Sequence, residues 1–401
     1  MKKYYFLTLI ICLGFLLGFS FHYHLWDRKA DSQVLRVGFL SENDEMNSNT
    51  YNFFQVQTAL KKNFPDQVEL FTLTNIRDDE TEDALEDLIN SGCRIIFTNT
   101  HSDRVKYTAA HNPDVQFCQM STAVAAEIQA GSNYHTFNAK YFQAHYVSGI
   151  AAGMKLRELI DGGIITPDQA VIGYVASMPT AEVISGFTAF ILGALAEAPE
   201  AVMRVQYVNE LTNFSREKAI SQALINEGCV IIAQNSGTTG PAAACQEASA
   251  NRTIFHIGYN DNLINDASAF SMIVTHANWE PYVTGAVRAV MNDKPIEEIV
   301  AGELHGNDIA AGFDQNWLEI LDMNENVAAP GTMERVQQAI DDIKNNKVEI
   351  FKGNYIGVDP NNMRIKIDLN EGFKENGSSS KPTFHYILRN VITVEKTVDG
   401  Q

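Results

Sequence analysis

The chain has 401 residues, enough for two domains of ordinary size, each with its own core. Hydrophobic residues make up 45% and charged residues 20%, a globular balance rather than a disordered or fibrous one. The formal net charge of −19 argues against nucleic acid as a partner, because phosphate binding needs clustered Lys and Arg, and it disfavours broad contact with anionic lipid.

Lys2 and Lys3 precede an apolar run from Tyr4 to Phe21, the pattern of an export signal. At about 18 residues the run is also just long enough to span a bilayer as a helix. Cleavage would have to use the weak site at Gly18-Phe19-Ser20, so the segment is either removed or kept as an anchor. Residues 1–31 thus read as signal or anchor plus a polar stalk, and the rest should face the outside of the cytoplasmic membrane. Cys93, Cys118, Cys229 and Cys245 remain beyond it, with no C-x-x-C and no adjacent His pair, so no metal site is expected. They read as small buried hydrophobes, although the compartment would allow a disulfide.

Along the chain, Arg36 to Leu40 reads as a strand, followed by a polar loop and a helix from about Tyr51 to Asn63. Val68 to Leu73 is a second strand. Asp79 to Ser91 is an acidic helix whose Ala84, Leu85, Leu88 and Ile89 share one face. Strand Ile95–Thr98, a helix near Ser102–His111 and strand Val115–Gln119 follow. A long helix from about Tyr141 to Leu159 opens a second unit that runs from Ala170 to Tyr259. A strand at Ser271–Val274 and helices at Pro281–Asn292 and Met333–Asn345 come next. Gly377 to Pro382 reads as a loop and Phe384 to Val394 as a β-prone tail.

The two units echo each other. Leu88-Ile89-Asn90-Ser91-Gly92-Cys93-Arg94-Ile95-Ile96-Phe97-Thr98-Asn99 is matched 136 positions later (224 − 88) by Leu224-Ile225-Asn226-Glu227-Gly228-Cys229-Val230-Ile231-Ile232-Ala233-Gln234-Asn235. Val37-Gly38-Phe39-Leu40 is matched by Ile172-Gly173-Tyr174-Val175, and Val115-Gln116-Phe117 by Thr253-Ile254-Phe255. Strands alternating with helices imply parallel sheets covered on both faces. Repetition on this scale predicts an α/β chain of two similar doubly wound lobes, with ligand bound beyond the carboxyl ends of the strands.

Several strings in order also resemble the basic membrane protein family of solute-binding proteins. They are Ile172 to Pro179 with Glu182-Val183-Ile184 and Gly186 to Phe190, Phe137-Asn138-Ala139-Lys140-Tyr141, His256-Ile257-Gly258-Tyr259 and Asn278-Trp279-Glu280-Pro281-Tyr282. The resemblance spans roughly residues 35 to 355. It implies the type I periplasmic binding-protein fold and capture of a purine nucleoside, purine base or related heterocycle for an ABC importer. With crossovers expected near residues 137–138, 259–262 and 307–313, one lobe would hold 35–137 and 263–306. The other would hold 138–262 and 307–355, and 356–401 would form a C-terminal extension.

A purine needs aromatic faces for stacking and amides or hydroxyls for its edges. Asn49, Thr50 and Tyr51 lie on the loop after the first strand, where the family places such contacts. Asn49 stands where relatives carry an aromatic residue, so Tyr51 would supply the ring unless it faces the core. Thr98, Asn99 and Thr100 end one strand and Gln234, Asn235 and Ser236 end its twin, where they either read a base edge or cap the following helices. Asn138 sits at the first crossover, and Met178 holds a family position that lines the pocket. Asn260 replaces the Asp of nucleoside-binding relatives, and Trp279 resembles the base-binding branch. Together these two changes favour a free base or another flat heterocycle.

No Gly-rich phosphate loop, nucleophile elbow or metal-spaced cluster supports an enzyme, and His101, His145, His256 and His276 are scattered. No cofactor is expected. The expectation is a monomeric extracytoplasmic binding protein serving an ABC permease–ATPase complex. The alternative is an anchored sensor of the same fold, read by a membrane signalling partner.

Overall fold

The computed structural model describes residues 34–44, 48–120, 132–259 and 271–395. The expected signal or anchor at residues 1–31, and Asn260, lie outside the described residues. The first unit runs β1 (Leu35–Leu40), α1 (Ser48–Asn63), β2 (Val68–Leu73), α2 (Thr81–Asn90), β3 (Ile95–Thr98), α3 (Arg104–His111), β4 (Gln116–Met120) and β5 (Tyr134–Ala139). The long helix α4 (Tyr141–Asp161) leads into β6 (Val171–Ala176), α5 (Ala181–Glu197), β7 (Val202–Tyr207), α6 (Phe214–Asn226), β8 (Ile231–Gln234), α7 (Gly240–Ser249), β9 (Phe255–Tyr259) and β10 (Ser271–Ala277). Then come α8 (Glu280–Met291), α9 (Ile296–Ile299), β11 (Glu303–His305), β12 (Asp308–Ala311), β13 (Leu318–Met323) and α10 (Thr332–Lys344). Short strands β14 (Ile356–Val358), β15 (Lys366–Asp368), β16 (Ile387–Leu388) and β17 (Ile392–Val394) end the described chain.

The strands form two large sheets of order β11-β12-β5-β4-β3-β1-β2 and β13-β10-β9-β8-β6-β7-β17. Each unit of five strands therefore lies in the same order, fifth-fourth-third-first-second, with parallel pairing throughout. The sequence echo is a structural echo, and the two doubly wound α/β lobes are as expected. Its stop signals work identically in both copies. Gly92 (φ 84°) and Gly228 (φ 95°) take the left-handed conformation after α2 and α6. The Gly92 N–H donates to Ile89 O and the Cys93 N–H to Leu88 O; Gly228 and Cys229 donate to Ile225 O and Leu224 O in the same way. This is the paired C-terminal capping pattern that a residue with a Cβ enters only under strain. Gly38 and Gly173 match as well. A Cβ on Gly38 would lie 3.2 Å from Leu88, and one on Gly173 would lie 3.0 Å from the equivalent Leu224, so each glycine lets its helix settle on its sheet.

The sheets correct the expected division of the chain. β10 (Ser271–Ala277) was assigned to the first lobe with 263–306, yet it pairs with β9 and β13 in the second sheet. The middle crossover therefore falls between Ala277 and Glu280, not at 259–262, because a strand pattern in the sequence does not say which sheet the strand joins. The third crossover follows β12, which pairs with β5, so 307–311 belongs with the first sheet. The segment after 356 is not a separate appendage either, since β17 pairs in parallel with β7 at the second sheet's edge.

The three crossovers meet in one aromatic cluster. Phe137 stacks on Tyr282 with centroids 3.9 Å apart, and Trp279 stands edge-on to Phe137 at 5.1 Å. Trp317 lies 5.9 Å from Trp279 and 5.3 Å from Tyr282. All four rings are buried. The described cysteines are free and buried. Burial pushes the Cys93 thiol up to about 11 and the Cys229 thiol up to about 12, and it raises Cys118 and Cys245 as well.

Within the second lobe, α4 and α5 approach through glycines. Cβ atoms on Gly149 and Gly153 would run into the Phe190 and Ala194 carbonyl oxygens, and one on Gly193 into the Tyr146 carbonyl. These obstacles are backbone and cannot swing aside. Gly149→Ala should therefore cost about 3 kcal/mol, the upper end for overpacking, while Gly163→Ala, which meets nothing within 4 Å, should cost about 1 kcal/mol through its positive φ. Chemical denaturation of both variants checks the ranking.

Candidate functional site

A cleft of about 590 Å³ lies between the lobes. Its walls come almost entirely from strand exits, as parallel sheets dictate. The first lobe contributes Glu42 and Asn43 after β1, Asn99 and His101 after β3, Met120 at the end of β4 and Asn138 near the end of β5. The second contributes Ser177 and Met178 after β6, Glu182 in the first turn of α5, Asn235 and Ser236 after β8 and Tyr259 ending β9. Tyr141, at the start of α4, lies at the first crossover. Its ring meets that of Tyr259 edge-on at 6.0 Å.

The residues anticipated from the sequence divide into two groups. Asn99, Asn138, Met178 and Asn235 line the cleft together with Ser236. Asn99 and Asn235 are the equivalent positions of the repeat, so the duplication sets two amides on opposite walls. Asn235 Oδ1 accepts from the Ser177 N–H (3.1 Å), and Asn99 Nδ2 donates weakly to Thr50 Oγ1 (3.4 Å). The other group supports the walls instead. Thr98 Oγ1 binds Thr100 and closes a local turn. Gln234 donates to Ser236 O and Thr238 O, and its Oε1 lies 2.9 Å from His256 Nε2, so its amide is spent bracing the loop. Tyr51 is half-buried in the first turn of α1, and Thr50 is buried beside it. Asn49 belongs to the same helix, and its side chain is outside the described residues. Trp279 is fully buried in the aromatic cluster behind the hinge and is not among the cleft-lining residues.

Two properties of the cleft were not visible in the sequence. The first is unspent hydrogen-bonding capacity. Asn138 is fully buried in β5, yet both Nδ2 and Oδ1 lack a partner among the described residues, as do Asn99 Oδ1 and Ser236 Oγ. A buried polar group left unpaired costs about 1–3 kcal/mol, so these atoms are poised for a ligand that supplies both donors and acceptors.

The second property is an acidic–histidine group across the cleft. His101 Nδ1 lies 2.7 Å from Glu42 Oε1, and this partner raises the imidazole pKa. Burial pushes the Glu182 carboxyl on the facing lobe up to about 7, with the His101 charge pulling the other way. Both residues follow strand exits by only a few positions, which is the signal that would have marked them. Behind them, burial takes His145 down to about 3, so it is a neutral ring. It stacks under Tyr259 at 4.6 Å, and its Nδ1 lies 3.3 Å from the Tyr174 hydroxyl.

Because the folded carboxyl of Glu182 titrates above its ordinary value of 4.5, its contribution to stability is fully present below pH 4.5 and is lost as pH rises through about 7. Glu182→Gln, neutral throughout, should therefore melt higher than the parent at pH 8 and close to it at pH 5. Scanning calorimetry at the two pH values checks this, and an offset that is equal at both would refute it.

The cleft belongs to a recognisable class of protein. The family described as ABC transporter substrate-binding protein PnrA-like matches residues 46–351. A purine-binding protein of Brucella abortus is 26% identical over 283 residues, covering 70% of this chain and 73% of its own. An ABC transporter solute-binding protein from Conexibacter woesei superposes with a TM-score of 0.61 at 14% identity, covering 78% of this chain and 97% of its own. A transcriptional activator of the comK gene from Bacillus halodurans superposes at 0.60 with 17% identity, covering 78% and 99%. These last two share the fold. Among the described residues no helix is long and apolar enough to cross a membrane. The chain belongs to the PnrA-like family of ABC transporter substrate-binding proteins, extracytoplasmic binders of small solutes rather than enzymes.

Proposed function

We propose that this protein captures a purine base or nucleoside in the interlobe cleft and presents it to an ABC permease–ATPase complex outside the cytoplasmic membrane. The observation that carries this reading is Asn138, a fully buried amide at the cleft wall whose donor and acceptor both lack a partner among the described residues. A purine edge alternates ring nitrogens, exocyclic groups and N–H groups, and a free carboxamide can meet such an edge with two hydrogen bonds at once. Tyr141, Tyr259, Met120 and Met178 give the apolar surface that the faces of a flat ring require. The cleft volume falls within the ~300–1,000 Å³ usual for small-ligand sites. The named activity of the Brucella relative points the same way.

Asn99 and Asn235 contribute from opposite walls, so lobe closure brings both amides to one ligand. Anchoring by the apolar segment near the amino terminus would keep the clamshell beside its permease.

Isothermal titration with adenine, guanine, hypoxanthine and their nucleosides tests the ligand class. Binding of at least one is expected, and sugars bound in place of every purine would overturn the reading. Asn138→Ala should weaken purine binding by roughly 30- to 150-fold, the worth of two hydrogen bonds at about 1–1.5 kcal/mol each. The same variant should leave the ligand-free protein no less stable, because the atoms removed have no partner among the described residues. Thermal melts with and without ligand separate the two effects.

A further inference from the structure

Beyond residue 351, where the family match ends, the chain does something its relatives' shared core does not require. It leaves the second lobe, docks on the first and returns. The docking is polar, exposed at its start and buried at its end. Lys374 pairs with Glu303 (3.3 Å), and Asn376 O lies 3.1 Å from His305 Nε2. The Ser380 N–H donates to Asp308 Oδ2 at 2.6 Å, while Thr136 Oγ1 donates to the other oxygen at 2.9 Å. Asp308 and Ser380 are both fully buried, so this carboxylate is committed to holding the segment against β12 and β5.

Immediately afterwards Lys381 and Pro382 line the interlobe cleft. Phe384 then stacks on Phe351 at 4.4 Å, and β17 fastens the end of the segment to β7 of the second lobe. The Val391 carbonyl accepts from the Met203 N–H at 2.7 Å, and the Glu395 N–H donates to Val205 O at 2.8 Å. One continuous stretch is thus clasped to each lobe, with two residues between the clasps facing the ligand space.

We propose that this C-terminal segment is part of the ligand site: Lys381 and Pro382 form its outer wall, and the Asp308–Ser380 clasp limits how far the lobes part. The site role rests on the reading of the cleft as a small-heterocycle site; the limit on opening does not. Pro382 presents a rigid apolar face to the edge of a flat ring. The Lys381 ammonium offers N–H donors to acceptor groups on the outward end of the ligand. Ligand release must then displace this wall as well as open the hinge, so the segment acts mainly on dissociation.

The test uses the full chain with spin labels on cysteines introduced at Tyr107 in the first lobe and Ile164 in the second, both exposed, and with Cys12→Ser. Asp308→Asn should broaden the interlobe distance distribution of the ligand-free protein and speed purine dissociation about tenfold. Lys381→Met, which leaves the clasp intact, should speed dissociation without changing the distances. Should Asp308→Asn fail to fold, Ser380→Pro removes the donor while keeping the carboxylate. Unchanged distances in the clasp variant overturn the limit on opening, and unchanged dissociation in Lys381→Met overturns the wall. A parent protein that binds no purine refutes the ligand reading, while the distance measurement still decides the clasp.

Discussion

The architecture turns on the aromatic cluster where the chain passes between lobes. Phe137 arrives on β5, Trp279 follows β10 and Trp317 follows β12; Phe137 and Trp317 pack on Tyr282 of α8, and Trp279 packs on Phe137 and Trp317. Rings interlocked edge to face resist shear yet accept small rotations. Under the proposed function the lobes swing as bodies about this buried pivot. The glycine-mediated contact of α4 with α5 stiffens the second lobe further, because two helix backbones in direct contact leave little room to slide. Rigid lobes on a packed pivot convert a few side-chain contacts in the cleft into a single closing motion.

The cleft itself is built at a loss. Asn99 Oδ1, both amide atoms of Asn138 and the Ser236 hydroxyl are buried without partners among the described residues, and Glu182 is held where its charge is disfavoured. Each of these weakens the empty protein, and under the proposed function a ligand of complementary polarity would relieve it. This is how a binding protein distinguishes occupied from empty with little structural change inside either lobe. Neighbouring polar groups are spent differently. Gln234, Thr98 and Thr100 have satisfied hydrogen bonds and serve to hold the strand exits in shape.

Much of this was legible in the sequence because duplication writes local rules twice. The Gly92 and Gly228 stops, the strands they precede and the sheet order all follow from short-range signals. Strand exits single out Asn99, Asn138 and Asn235, and the structure sets all three along the cleft. Long-range facts were not legible. Nothing in Ser271–Ala277 says which sheet it will join, and Trp279 reads as a stacking residue until its neighbours Phe137 and Trp317 are known. His101 and Glu182 come from different lobes and form no motif. Lys381 reaches the cleft only because Asp308, 73 positions earlier (381 − 308), anchors its neighbour.

The four buried thiols carry a consequence for how the fold is held together. Apolar surroundings keep them protonated and out of reach, so they neither attack nor are attacked by disulfides. Among the described residues, the two lobes are held without a disulfide. In the folded chain, tertiary packing and hydrogen bonds hold those residues together.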